Sequence, residues 1–132
     1  MRRKDLAKLG DSLTNLLYSL AESLVTNRFS GGKVSGKTLA AALRLSNLRH
    51  LAPSRLDAHG LGDSVEALIA YNWIRGKLNI LEAATLLARE IEQAAENMEI
   101  GQIQIKPVVA AFAALLRDMH LKEQAASTRE SQ

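Results

Sequence analysis

Residues Gly31 to Thr38 read GGKVSGKT, a match to the phosphate-cradling loop pattern G-x-x-x-x-G-K-[ST] at every fixed position. Two folds follow from two readings of it. With a buried strand running in and a helix running out, the chain is an α/β nucleotide hydrolase. With helices on both sides, the stretch is a connection in an all-α protein. Upstream, Leu6, Leu9, Leu13, Leu16, Leu17, Leu20 and Leu24 recur at steps of three and four, which marks an amphipathic helix from about Asp5 to Val25. Downstream, TLAAALRLSNLRHL reads as a helix from Thr38 to Leu51, ended by Pro53. No strand feeds the loop, and no apolar strand ending in Asp follows it to hold magnesium for a nucleotide. The stretch therefore joins two helices, and no nucleotide cofactor is expected. Lys33 and Lys37 serve better as basic groups facing a polyanion.

The rest of the chain agrees with an all-α fold of about five helices. A third helix begins near Gly62, holds DSVEALIAYNWI and stops around Gly76; a fourth runs from about Ile80 to Asn97, with Ile80, Leu81, Leu87 and Ile91 toward the core. IGQIQIK alternates apolar and polar residues and reads as a possible short strand. Pro107 suits the first turn of a fifth helix, on which Val108, Phe112, Leu115, Leu116 and Met119 form one stripe. EQAASTRESQ reads as a fraying end. One domain over residues 1–126 with a flexible tail at 127–132 is the expected organisation, and 132 residues suffice for a single core.

Hydrophobic residues make up 47% and aromatics only 4%, so the core is aliphatic. The absence of cysteine excludes disulfides, thiolate metal sites and cysteine nucleophiles. The longest apolar run, VVAAFAALL, is too short to span a bilayer, and Asp5 and Asp11 interrupt the basic start. A cytoplasmic protein without membrane contact is expected. Residues 1–80 carry 12 Lys and Arg against 6 Asp and Glu, whereas residues 81–132 carry 5 against 8. That imbalance suits a polyanion on the front portion, or is plain solvated surface charge.

Three acids draw attention. Asp63 and Glu66 are three apart, on the side of the third helix opposite Leu61, Val65, Leu68 and Ile69. They read either as a capping box or as a pair of ligands. Asp11 lies off the leucine stripe of the first helix, either a plain exposed acid or a third oxygen donor. Together the three would suit a hard cation such as Mg²⁺, with Mn²⁺ as an alternative. His50, His59 and His120 are not at metal-ligand spacing, although His59, four residues before Asp63, could line such a site. Tyr71 and Trp73 read as packing residues, against the core or a partner, rather than as a stacking platform for bases.

LAKLGDSLTNLLYSLAESL at Leu6–Leu24 resembles the signature helix of the ribonuclease III family, with its apolar-Gly-Asp step. LGDSVEALIAYNWIRGKLNILEA resembles the family's second acidic helix, and DSVEALIAY is the most specific part of a likeness covering roughly residues 5–95. The small single-domain members, which lack a double-stranded-RNA-binding domain, are the nearest in pattern. The resemblance implies a Mg²⁺-dependent endoribonuclease acting on double-stranded or structured RNA, in RNA processing, as a homodimer with two sites along one valley. It makes Asp11, Asp63 and Glu66 both catalytic residues and metal ligands. Arg2, Arg3, Lys8, Lys33, Lys37, Arg55 and Lys77 are then the candidate phosphate contacts. Lys4 and Ala7 stand where the fuller signature has glutamates, which opens a second expectation, a catalytically weak or inactive RNA-binding dimer. A helical scaffold whose acids are only caps is the third.

Overall fold

A computed structural model describes residues 3–99 and 105–130 of the 132. Among the described residues it holds five α-helices and one short 3₁₀ turn, and no strand. The helices are α1 (Arg3–Thr26), α2 (Gly36–Leu45), α3 (Ala58–Ile74), α4 (Ile80–Glu99) and α5 (Pro107–Glu130), with the 3₁₀ turn at Arg49–Leu51. The expected strand in IGQIQIK falls mostly outside the described residues, and Ile105 and Lys106 have no regular structure.

Short polar residues set the helix boundaries. The Ser35 hydroxyl accepts from Thr38 N–H at 3.1 Å and starts α2, so the serine of the GGKVSGKT stretch is a cap. α2 stops six residues before the expected Leu51. Ser46 Oγ donates to the Leu43 carbonyl and accepts from Leu48 N–H, and Asn47 takes a left-handed φ of 64° that no helix continues through. Arg117 of α5 donates to the Leu45 carbonyl at 2.9 Å, covering that orphan end. α3 starts four residues earlier than expected because Asp57, not Asp63, is its cap, accepting from Gly60 N–H at 2.8 Å. At its other end Gly76 (φ 72°) donates to Trp73 O and Lys77 donates to Asn72 O, the paired bonds of a Schellman stop.

The main helix contacts form a closed circuit: α1 on α3, α3 on α2, α2 on α5, α5 on α4, and α4 back on α1. Leu17, Leu39, Leu43, Leu61, Ile69, Leu87, Phe112 and Leu115 fill its middle. The α5 stripe and the apolar side of α3 face the core as expected, with Val108 and Leu68 half-buried at its margin. Leu81, expected in the core, is 68% exposed; Leu87 and the half-buried Ile80 and Ile91 do the packing on α4. Of the two places expected for Trp73 and Tyr71, the core is not the one they take, since both are exposed in the single chain, and Arg75 lies over the Tyr71 ring, 5.1 Å from its centroid. The expected tail from residue 127 is helical through Glu130, with Ser131 and Gln132 outside the described residues. Nor is Glu123 part of a frayed end: it accepts from Arg75 and Lys77 at 3.0 Å each and ties α5 to the end of α3.

Candidate active site

The site is made by one close helix crossing. Gly10 of α1 lies on the backbone of Glu66 in α3, so close that a β-carbon there would collide with the Glu66 carbonyl. Only glycine allows the two helices this approach. The crossing fixes Asp11, the next residue on α1, beside the Glu66 side chain. A second glycine contact sets the floor. A β-carbon on Gly62 would come within 2.7 Å of Gly36 Cα, so the first turn of α2 packs directly on α3.

Glu66 is only 8% exposed, in a helix whose Val65, Ala67 and Ile69 are also buried. Burial comes first among the causes that push its carboxyl up to about 8, followed by a hydrogen bond with Asp11 and the charges of Asp11 and Asp63. At neutral pH the Asp11–Glu66 pair therefore keeps a proton. Asp63, one turn earlier on α3, is near enough for its charge to be felt at Glu66, but its Oδ2 is paired with His59 Nε2 at 3.6 Å. The three acids line one open pocket of about 490 Å³, together with Lys4, Ala7, Lys8, Val34, Gly36 and His59. Asp11 and Glu66 meet; Asp63 stands beside them. Among the described residues no three His, Asp or Glu side chains are gathered closely enough to hold a metal ion as they stand.

With Asp57 as the cap of α3, Asp63 sits in its second turn and Glu66 in its third, so the capping-box reading of these acids is set aside. The basic candidates divide. Lys8 lines the acid pocket; Lys33 lies on the connection above it and Lys37 in the first turn of α2, both exposed. Arg55 is exposed in the loop before α3 with a positive φ of 62°. Arg3 instead lines an apolar hollow with Leu51 and Tyr71, and Lys77 is bound to Glu123 near the far end of α3. Neither belongs to the acid pocket, and Arg2 lies outside the described residues.

Two residues take roles in this pocket that the sequence reading did not give them. Lys4 faces it as a second ammonium group beside Lys8. Asn15 donates to Asp11 Oδ1 at 3.5 Å and accepts from Val34 N–H at 2.9 Å. Its spacing of four from Asp11 is a signal the sequence does carry.

A family model described as Ribonuclease III matches residues 4–125, most of the chain. Comparison with curated proteins yields no match. Among the described residues no helix is long and apolar enough to cross a membrane.

Proposed function

The chain belongs to the ribonuclease III family, a family of ribonucleases acting on RNA, and on that footing we propose that it is a Mg²⁺-dependent endoribonuclease that hydrolyses phosphodiester bonds in double-stranded or structured RNA as a homodimer. The observation that supports this reading most directly is the meeting of Asp11 and Glu66 at the Gly10 crossing, with Asp63 in the same pocket. The donor set is oxygen only, and a buried carboxyl beside two other acids is a setting in which a hard divalent cation would offset the gathered charge. Asp11, Asp63 and Glu66 would hold the Mg²⁺ or Mn²⁺. Once bound, such an ion lowers the pKa of a coordinated water and offsets charge developing on the phosphate.

The chain's own residues supply the rest. Lys4 and Lys8 place two ammonium groups on the pocket wall, where they favour an approaching backbone phosphate. Lys33 and Lys37 extend that basic margin along the α1–α2 connection, and double-stranded RNA is read there by backbone and shape. His59 stands one turn from Asp63 on the same rim, its Nε2 3.6 Å from Oδ2. A second copy would cover Leu9, Leu16 and Leu24, which form an exposed apolar line on α1.

Incubation of the purified protein with labelled double-stranded RNA and Mg²⁺ tests the reading. Cleavage is expected, and Glu66→Gln should slow it by about a hundredfold or more, the rate equivalent of several kcal/mol of charge stabilisation. Equal rates for parent and variant would defeat it.

A second reading draws on Ala7, which lines the pocket one turn before Asp11 and offers a methyl group where the signature has an acid. The protein would then be a catalytically weak or inactive RNA-binding dimer of the same fold. It predicts RNA affinity that falls steeply with salt, with no cleavage under Mg²⁺ or Mn²⁺.

A further inference from the structure

The GGKVSGKT stretch has a role that the proposed hydrolysis does not explain. Residues 30–34 run in extended form along α1, against side chains spaced one turn apart. Ser30 N–H donates to Ser23 Oγ at 2.9 Å, Gly32 N–H to Ser19 Oγ at 2.9 Å, and Val34 N–H to Asn15 Oδ1 at 2.9 Å. Steps of four on a helix and of two on an extended chain both advance about 6 Å, so the two repeats stay in register. The connection is a strap with three rungs, and its last rung is the residue beside Asp11.

Asn15 differs from Ser19 and Ser23 in what its other end does. An amide has an acceptor end and a donor end. Because Val34 N–H occupies the oxygen, the amide orientation is fixed and Nδ2 faces Asp11 Oδ1, 3.5 Å away. Val34 and Gly36, just past the rung, line the pocket with Asp11 and Glu66. We propose that Asn15 is a positioning residue: it locks the Asp11 carboxylate to the register of the strap, so that the acid and the loop carrying Lys33 and Lys37 hold one fixed relation. This deepens the reading of a metal-dependent nuclease and rests on it only where a metal is measured.

Three variants separate positioning from mere attachment. Asn15→Ala removes both bonds. Asn15→Asp keeps an acceptor for Val34 but loses the donor to Asp11. Ser19→Ala removes the neighbouring rung and touches no acid. Without metal, the Val34 amide should lose hydrogen-exchange protection in Asn15→Ala and keep it in Asn15→Asp. The ¹³C shift of the Asp11 carboxyl should move in both Asn15 variants and stay put in Ser19→Ala. Mn²⁺ affinity, followed by electron paramagnetic resonance, should fall roughly tenfold or more in Asn15→Ala, as for loss of a partner that orients a ligand, and stay at the parent value in Ser19→Ala. An Asp11 carboxyl shift unchanged in Asn15→Ala overturns the proposal, as does equal loss of Mn²⁺ affinity in Asn15→Ala and Ser19→Ala. A parent protein that binds no Mn²⁺ overturns the metal reading instead, and the carboxyl shift and Val34 exchange then decide Asn15 without it.

Discussion

Glu66 is a carboxylic acid held where its neighbours in the helix, Val65 and Ala67, are buried hydrophobics. Its carboxyl ordinarily titrates near 4.5 and is pushed up to about 8 in the fold, chiefly by burial. Between those values the folded protein holds a proton that the unfolded chain has released, so stability must fall as pH rises. The contribution is complete below about pH 4.5 and is lost toward pH 8. A melting series without metal should show that downward slope. Glu66→Gln, which carries no charge to desolvate, should remove it and melt higher than the parent at pH 8. A parent slope identical to that of the variant would contradict the burial argument. The same proton must leave before the carboxylate can take a cation, so metal affinity should rise with pH across this window.

Gly10 and Gly76 separate two demands that helices place on glycine. Gly10 is needed for space: a methyl group there meets the Glu66 backbone, which cannot yield without moving α3. Gly10→Ala should cost about 3 kcal/mol or more, an overpacking penalty, and should part Asp11 from Glu66. Gly76 is needed for its left-handed φ, with no atom near the place of a β-carbon, so Gly76→Ala should cost only about 1 kcal/mol. Its pocket chemistry should be unchanged. Thermal melts of both variants, with cleavage or Mn²⁺ binding alongside, check the pair. Much of this was legible in the sequence. The three-four spacing of leucines gave α1, the α5 stripe matched the buried face, and the apolar-Gly-Asp and Asp-x-x-Glu steps pointed to the acids now found in one pocket. Periodicity does not say how wide a neighbour's cover is, so Leu81 was placed in the core although it is 68% exposed among the described residues. Helix starts went to Asp63 instead of Asp57 because both are acids before an apolar run, and only the bond to Gly60 distinguishes them. For Asn15 the step of four to Asp11 was there to read, but its bond to Val34, nineteen residues away, was not.

The five helices share one core, and each helix packs chiefly on two others. Unfolding should therefore be a single transition. Far-ultraviolet dichroism, which sees all the helices, and the fluorescence of Trp73 near the end of α3 should melt at the same temperature; separated midpoints would show that the body divides. The basic margin and the acidic second half of the chain give this compact body a charged direction, and RNA binding under either functional reading should weaken as salt rises. A circuit of helices also differs from a stack in how it can be shortened. A stack loses its outermost member and keeps the others, whereas here every member is a stave in a cask. Taking out α5 would bare the flanks of both α2 and α4, and α2 forms part of the floor under Glu66. Trimming the chain by one stave should thus spill the acid pocket along with the core, however far from the acids the cut is made.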